Sequence, residues 1–178
     1  MISYLYKNTL FYSTIGYNIA LEAVGFRNWC DRIDETIVLG ALPLKSKWPA
    51  IEKAESIVSI VSLVEEIELK DFVVGPEEAK KRGLQYLHLP VQDLHYAPTM
   101  SQMDRGVAFI DATTGSKALP GHRVPEPGGD ALAKPLSSCY IHCKAGKTRS
   151  TTLVACYYIK KFGYTPEQAF DHIKNYRH

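Results

Sequence analysis

Short apolar runs alternate with helix-like stretches along most of this chain of 178 residues. Apolar, β-branched runs predict strands, and the stretches between them predict helices, some of which begin with a proline or a threonine cap. Strands that alternate with helices indicate an α/β fold with a central, mostly parallel sheet flanked by helices. The predicted strands are residues 36–42, 56–64, 85–91 and 138–142, and the predicted helices are residues 48–54, 76–82, 99–111, 151–162 and 165–176.

The first 26 residues are apolar and aromatic, with Lys7 and Glu22 as their charged positions. The segment is too interrupted for a membrane-spanning helix, and it lacks the arginines of a good transit peptide. Two interpretations of residues 10–24 stay open: an interfacial helix or cryptic import segment, or a helix packed on the protein's own core. We therefore expect an N-terminal apolar or amphipathic segment, 1–26, and one domain over residues 27–178.

Residues 113–137 interrupt the alternation of strands and helices. This stretch contains eight glycines and prolines and little apolar content, which predicts a loop insertion. The insertion is either a solvated excursion without function or a basic lip near the functional site, formed by Lys117, His122 and Arg123.

Charge and cysteine content narrow the possible functions. The formal net charge is +2 and the isoelectric point is about 8.3, so no global field would attract nucleic acid. The four cysteines fit neither a zinc-binding pattern nor a disulfide scaffold, which favours a reducing compartment. We expect no metal and no cofactor, and a thiol is free to act as a reactive group.

The most informative segment is residues 142–150, with the sequence HCKAGKTRS. It joins a predicted strand to a predicted helix, with Cys143 at the start of the connecting loop, Gly146 in the turn and Arg149 at the end. Unpaired N–H groups in such a loop and at a helix start bind anions, and they favour a thiolate over a thiol. The alternative is a buried structural cysteine followed by a surface arginine.

This segment resembles the His-Cys-x5-Arg-Ser/Thr signature of cysteine-dependent phosphatases, in their dual-specificity branch. Residues 29–34 (WCDRID) and 38–44 (VLGALPL) resemble the mitochondrial phosphatidylglycerophosphate phosphatase family of cardiolipin synthesis. Residues 62–66 (SLVEE) and 89–93 (LPVQD) fall where that family has its acidic loop and its general-acid loop. The resemblance implies the dual-specificity phosphatase fold and a mitochondrial location, on the matrix side of the inner membrane.

The signature loop supplies the first set of candidate site residues. Cys143 is the expected nucleophile, and Arg149 is expected to clamp two phosphoryl oxygens with its planar fork. Ser150 would donate a hydrogen bond to the sulfur, unless it is a simple helix-start hydroxyl. His142 is expected to bind backbone and hold the loop, and substrate is expected to contact the loop residues Lys144, Ala145, Gly146, Lys147 and Thr148.

Acidic residues at other strand ends complete the candidate site. Asp93 aligns with the general acid of the family, although an aspartate here could also simply form a turn. Glu65 or Glu66 could position a water molecule or orient Arg149, but paired glutamates at a strand end are usually solvated.

The two loop lysines, Lys144 and Lys147, are the main indication of substrate, because they resemble those of phosphatases that act on phospholipid headgroups. They imply hydrolysis of phosphatidylglycerophosphate to phosphatidylglycerol through a cysteinyl-phosphate, with peripheral membrane contact and no nucleic acid partner. Both lysines could instead face solvent. The alternative enzyme is a dual-specificity phosphatase for phosphoproteins or phosphoinositides, and the alternative of another class is a catalytically inactive phosphate-binding module.

Overall fold

The computed structural model describes residues 2–92, 97–115 and 137–177, with side chains from residue 8 onward. Within these ranges a five-stranded sheet has the order β1-β2-β5-β3-β4. Strand β1 pairs antiparallel with β2, whereas the β2–β5, β5–β3 and β3–β4 pairs are parallel. The predicted α/β fold with a mostly parallel sheet is therefore confirmed. The strands are β1 (Cys30–Arg32), β2 (Ile37–Gly40), β3 (Ile57–Ser62), β4 (Gln85–His88) and β5 (Ser138–His142).

Six α-helices flank the sheet in the described part of the chain. Two of them begin at the predicted threonine caps: the hydroxyl of Thr99 accepts from the N–H of Gln102, and that of Thr165 accepts from the N–H of Gln168. The helices are α1 (Ile2–Ala23), α2 (Trp48–Glu55), α3 (Pro76–Lys81), α4 (Met100–Thr114), α5 (Arg149–Phe162) and α6 (Pro166–Lys174).

Strand β5 lies at the centre of the sheet and is buried along its whole length. Its last residue, His142, pairs with Gly40 of β2 and with Ser62 of β3. Three parallel strands therefore end together, and the segments that follow them leave the sheet at the same edge. Ligand sites of open α/β sheets lie at this carboxyl edge.

The two faces of β5 belong to two separate apolar clusters. Cys139 and Ile141 pack in the larger cluster, which includes residues of α4 and α5 such as Ile110 and Leu153. Tyr140 points to the opposite face and packs edge-on against Trp48, with ring centroids 5.2 Å apart. Burial on both faces explains why this strand is a continuous apolar run without alternation.

Helix α1 packs on the larger cluster through Phe11 and Ile15, both of which are buried. Its opposite side exposes Tyr12 and Tyr17. The helix is thus part of the core on one side and an open aromatic surface on the other. Nowhere in the described ranges does a helix combine the length and the apolar character that crossing a membrane requires.

Strand β4 ends at His88 rather than at 91, and α5 begins at Arg149 rather than at 151. Two further differences change the picture of the fold. Strand β1 was not predicted, because three residues at a sheet edge carry no readable periodicity. Thr113 and Thr114 were assigned to the insertion but lie in the last turn of α4, where the Thr113 hydroxyl is hydrogen-bonded to Ser59 at 2.8 Å. The remainder of the insertion, including Lys117, His122 and Arg123, lies outside the described residues apart from Gly115 and Ser137.

Candidate active site

A six-residue loop, 143–148, connects β5 to α5 at the carboxyl edge of the sheet. Gly146 has a φ of +67° within this loop, a conformation that residues with side chains adopt only with strain. A Cβ at this position would also lie 2.4 Å from the carbonyl oxygen of Gly40. The turn therefore needs glycine for two separate reasons, its backbone conformation and its close approach to β2.

The sulfur of Cys143 is buried at the centre of the loop. It accepts a hydrogen bond from the N–H of Gly146 at 3.2 Å and another from the hydroxyl of Ser150 at 3.2 Å. Burial by itself raises the pKa of this thiol, but the charge of Arg149 and hydrogen bonds from Ser150 and the N–H of Lys147 outweigh it. The net result is a Cys143 pKa below the usual value, which favours the thiolate.

The guanidinium of Arg149 lies at the first turn of α5 and is 4% exposed. Its Nη1 donates to the carbonyl oxygens of Val91 at 2.9 Å and Leu63 at 3.3 Å, and to Oε2 of Glu68 at 2.9 Å. These acceptors come from segments that follow β3 and β4. The arginine is thus fixed in position by two other loops at the same edge of the sheet.

The carboxylate that pairs with Arg149 is that of Glu68, which the sequence analysis did not select. Residues Glu66–Glu68 form a 3₁₀ turn that buries Glu68 and leaves Glu66 exposed. The N–H of Glu65 donates to Oε2 of Glu68 at 2.9 Å, so Glu65 caps the turn. The orienting role expected of Glu65 or Glu66 therefore falls to their neighbour, because the turn directs that side chain inward.

The two loop lysines have different surroundings. Lys144 is buried, and its Nζ lies 3.9 Å from Oε1 of Glu68, so this lysine does not simply face solvent. Lys147 is exposed, and partial burial together with the charges of Arg27 and Arg177 lowers its pKa. Of the other loop residues, Ala145 is half-buried, Gly146 is buried and Thr148 is exposed.

His142 is fully buried, and its Nδ1 lies 3.1 Å from the carbonyl oxygen of Cys143. Because a carbonyl only accepts, Nδ1 carries the proton of a neutral ring. Burial lowers the pKa of His142 to about 3, despite this hydrogen bond to backbone. The contact is the backbone interaction expected from the sequence, and it joins the last residue of β5 to the first residue of the loop.

Asp93, the candidate general acid, lies outside the described residues, as do the three positions after it. The nearest described contact is that of Val91, two positions earlier, whose carbonyl oxygen accepts from Arg149 at 2.9 Å. The structure thus brings together Cys143, Arg149 and Ser150 from the signature segment, and it leaves the placement of Asp93 open.

Two further arginines contact the outer side of the loop and were not identified from the sequence. Arg177 donates to the carbonyl oxygens of Gly146 at 2.8 Å and Ala145 at 3.2 Å, and Arg27 also donates to that of Ala145. Asp31 accepts from Arg177 at 2.5 Å. Asp31 belongs to residues 29–34, whose sequence resembles the family. This resemblance is the one feature of the sequence that could have pointed to Asp31 as part of the site.

The site combines an acidic thiol, inward-facing N–H groups and a buried guanidinium. Such an arrangement can hold a tetrahedral oxyanion against a nucleophilic sulfur. Its electrostatics favour charge on the equatorial oxygens of a transferring phosphoryl group.

Comparison with known proteins agrees with this chemistry. Residues 130–178 match the family described as the dual specificity phosphatase catalytic domain. The chain is 34% identical over 172 residues to the phosphatidylglycerophosphatase and protein-tyrosine phosphatase 1 of Rattus norvegicus, covering 94% of this chain and 79% of the rat protein. The corresponding protein of Homo sapiens is 32% identical over 164 residues, covering 90% of this chain and 72% of the human protein.

The fold also matches a solved member of this group. A crystal structure of PTPMT1 in complex with PI(5)P superimposes with a TM-score of 0.70 and 30% identity, covering 84% of this chain and 83% of that chain. The signature loop, the fold and the identity over most of both chains agree with one another. The chain therefore belongs to the phosphatidylglycerophosphatase and protein-tyrosine phosphatase family of cysteine-dependent, dual-specificity phosphatases.

Proposed function

We propose that this protein removes the terminal phosphate of phosphatidylglycerophosphate, yielding phosphatidylglycerol for cardiolipin synthesis. The observation that carries the proposal is the setting of the buried Cys143 sulfur, which accepts hydrogen bonds from the N–H of Gly146 and the hydroxyl of Ser150 and has a pKa below the usual value. Burial alone would leave the thiol protonated and inert. The cationic and hydrogen-bonding environment that reverses this effect also suits a phosphate monoester.

In the first step, the thiolate of Cys143 attacks phosphorus, so that an S–P bond forms as the bond from phosphorus to the leaving oxygen breaks. Arg149 stabilises the charge that spreads over the equatorial oxygens, with the loop N–H groups around it. Asp93, protonated at this stage, gives its proton to the departing alkoxide. Val91 lies two positions before Asp93 in the chain, and its carbonyl oxygen accepts a hydrogen bond from Arg149. This contact supports the role of the aspartate.

In the second step, water attacks the phosphorus of the cysteinyl-phosphate and the S–P bond breaks. The Asp93 carboxylate takes a proton from the water, and inorganic phosphate is the product. Ser150, whose hydroxyl lies 3.2 Å from the sulfur, stabilises the thiolate as it leaves. Substrate and water supply all the atoms that are transferred, and Asp93 ends the second step protonated, as it began the first.

The substrate class follows from the positive charge around the loop. Lys144 lies inside the site, and Lys147 lies at its surface with Arg27 and Arg177 close enough to lower its pKa. A phosphatidylglycerophosphate headgroup carries a second phosphate, the diester, beside the one that is hydrolysed. We assign the exposed Lys147 to that second phosphate and the buried Lys144 to the reacting end.

Peripheral membrane contact would bring the lipid headgroup to this site. Phe26 is 81% exposed and immediately precedes Arg27, which contacts the loop at Ala145. Tyr12 and Tyr17 are exposed on α1, and aromatic side chains with one polar end suit a membrane interface. The mitochondrial location, on the matrix side of the inner membrane, is supported by the family resemblance alone.

A phosphoinositide is the second candidate substrate. The solved relative is described in complex with PI(5)P, which also carries a monoester and a diester phosphate. Phosphoproteins form a third candidate, since the rat and human relatives are named protein-tyrosine phosphatases as well. Charge around the loop favours the lipids over a peptide, and the identity of the chain to proteins named phosphatidylglycerophosphatases favours phosphatidylglycerophosphate.

A substrate panel tests the proposal. Phosphate release is compared for phosphatidylglycerophosphate, PI(5)P and a phosphotyrosine peptide, with the lipids in matched mixed micelles and with EDTA in a parallel set. We expect the highest kcat/KM for phosphatidylglycerophosphate, unchanged activity in EDTA and none in Cys143→Ser. Cys156→Ser, a half-buried thiol on α5, is the matched control and should keep full activity. A higher kcat/KM for either other substrate would overturn the substrate assignment, and activity in Cys143→Ser would overturn the mechanism.

A further inference from the structure

The signature loop is held from its outer side by an arginine that is far away in sequence. Arg177 follows α6 and is buried against the loop. Its Nε donates to the carbonyl oxygen of Gly146 at 2.8 Å and its Nη2 to that of Ala145 at 3.2 Å. Its remaining nitrogen, Nη1, donates to Oδ2 of Asp31 at 2.5 Å. One planar guanidinium thus binds two successive loop carbonyls and one carboxylate.

The geometry of the peptide bond links these outer contacts to the sulfur. In a trans peptide the C=O and N–H groups point in opposite directions. The carbonyl of Ala145 shares its peptide unit with the N–H of Gly146, which donates to the Cys143 sulfur at 3.2 Å. Holding that carbonyl outward therefore directs the N–H inward.

The next peptide unit follows the same pattern. The carbonyl of Gly146, bound by Nε of Arg177, shares its unit with the N–H of Lys147. That N–H is one of the groups that lower the pKa of Cys143. A charged donor on a carbonyl also polarises the peptide unit, which strengthens the hydrogen bond that its N–H makes on the other side.

Glycine in this turn makes an external restraint necessary. The peptide units on either side of Gly146 can rotate more freely than those beside other residues, because glycine has no Cβ. The guanidinium packs directly on the glycine, since an added Cβ would lie 2.7 Å from Nη2 of Arg177. Arg177 thus occupies the space that a side chain at position 146 would need, and its hydrogen bonds restrain the peptide units instead.

Asp31 anchors the arginine to the sheet. This residue lies in β1, where its backbone is opposite Leu39 of β2. Its second carboxylate oxygen accepts from Nδ2 of Asn28 at 2.7 Å, so both oxygens are held. The chain of contacts therefore runs from the rigid sheet through Asp31 and Arg177 to the outer side of the loop.

We propose that Arg177, anchored by Asp31, is a positioning residue that keeps two loop carbonyls outward so that their N–H partners face the sulfur and the transferring phosphoryl group. The proposal deepens the proposed phosphatase mechanism and rests on it. Arg27 donates to the same Ala145 carbonyl and assists in this restraint. Removing this restraint should weaken both the stabilisation of the thiolate and the binding of tetrahedral oxyanions.

Arg177→Gln and Asp31→Asn test this inference, with Arg82→Gln as the matched control, since Arg82 pairs with Glu52 and Glu78 at the surface. Two readouts need no substrate: the pH dependence of Cys143 alkylation by iodoacetamide, and the dissociation constant of vanadate. All variants also carry Cys156→Ser, so that this half-buried thiol does not contribute to the alkylation signal. Thermal unfolding checks that each variant is folded. In Arg177→Gln we expect the alkylation midpoint to move up by about one pH unit, and vanadate binding and kcat/KM to weaken by about tenfold to a hundredfold.

Arg177→Lys separates positioning from charge. Lysine keeps the positive charge but cannot reproduce the fork that binds both carbonyls, so it should recover only part of each loss. Full recovery by lysine would mean that charge alone acts, and it would overturn the proposal. A folded Arg177→Gln variant with the alkylation midpoint and vanadate affinity of Arg82→Gln would also overturn it.

If Arg177→Gln does not fold, Asp31→Asn tests the proposed restraint in its place. It should shift both substrate-free readouts in the same direction by a smaller amount, and values equal to those of Arg82→Gln would contradict the proposal. The outcome is separable from that of the proposed function. If the unmodified protein failed to hydrolyse phosphate esters, the phosphatase mechanism would fail, whereas the alkylation midpoint would still report on the restraint.

Discussion

The carboxylate of Glu68 lies 2.9 Å from Nη1 of Arg149, and both side chains are buried. The same carboxylate lies 3.9 Å from Nζ of Lys144, so one negative charge interacts with two positive charges. This compensation makes the burial of two cations possible and fixes the plane of the guanidinium. Arg149 and Lys144 also offset the charge of the Cys143 thiolate, which lowers the electrostatic cost of bringing a phosphate dianion to the sulfur.

Glu68→Gln should reduce both the catalytic rate and the stability of the fold. Glutamine keeps the size of the side chain and one oxygen acceptor, but it removes the negative charge that Glu68 places beside Arg149 and Lys144. We expect kcat/KM to fall by about tenfold or more and stability by about 1–3 kcal/mol. Steady-state kinetics and urea unfolding measure the two effects. Glu66→Gln, at the exposed position of the same turn, should change neither, and equal losses in both variants would contradict the role of Glu68.

Asp93→Asn should make the rate strongly dependent on the leaving group. An asparagine cannot protonate a departing alkoxide, whereas a nitrophenolate leaves without a proton. We expect a loss of about a hundredfold or more for an alkyl phosphate and a much smaller loss for p-nitrophenyl phosphate. Asp104→Asn is the matched control, because Asp104 is an exposed helix residue paired with Lys160. Equal losses for both substrates would remove Asp93 from the role of acid.

His142 should make the fold sensitive to acid. Its pKa is about 3 in the folded protein and near 6.5 when unfolded, so the unfolded chain takes up the proton first as the pH falls. The stability that depends on this neutral histidine is complete above pH 6.5 and is lost as the pH falls towards 3. Between pH 6.5 and 5 the loss from this residue should be about 2 kcal/mol.

His142→Asn isolates this contribution, because asparagine keeps a donor for the Cys143 carbonyl but does not titrate. The free energy of unfolding is measured by urea for both proteins at several pH values. The difference between wild type and variant should shrink by about 2 kcal/mol from pH 6.5 to 5. A difference that stays constant over this range would contradict the low pKa of the buried ring.

Gly146→Ala should strongly reduce activity through the backbone, whereas Gly115→Ala should not. The two glycines have nearly the same φ, +67° and +66°, but a Cβ at Gly115 meets none of the described residues within 4 Å. Each alanine should cost about 1–2 kcal/mol for its conformation alone. Only Gly146→Ala also collides with Gly40, and we expect its kcat/KM to fall by about a hundredfold or more. Similar activity in the two variants would show that the close approach to β2 does not matter.

The sequence alone was sufficient to predict the part of the site that is formed by residues close together in the chain. The apolar run of β5, the glycine of the turn and the start of α5 lie within fifteen consecutive residues, and each element has its own signal. The sulfur and Ser150 are therefore placed by the loop and the first turn of α5, and the sequence could name them without any distant contact. The orientation of the N–H groups also depends on Arg177, which the sequence did not indicate.

The site residues that the sequence did not predict are held by contacts between positions far apart in the chain. Glu68 and Arg149 are 81 positions apart, and Arg177 is 146 positions from Asp31. Glu68 differs from its two neighbouring glutamates only by lying on the inner side of a short turn, which no periodicity indicates. The packing of Phe11 and Ile15 likewise depends on core residues that meet α1 only in the folded chain.

Trapping the covalent intermediate tests the central claim most directly. The protein is mixed with p-nitrophenyl phosphate, quenched in acid and digested, and the phosphorylated peptide is identified by mass spectrometry. The account predicts phosphate on Cys143, at higher occupancy in Ser150→Ala because the sulfur then leaves more slowly in the second step. Turnover without phosphate on Cys143 in either protein, or phosphate on another residue, would contradict it.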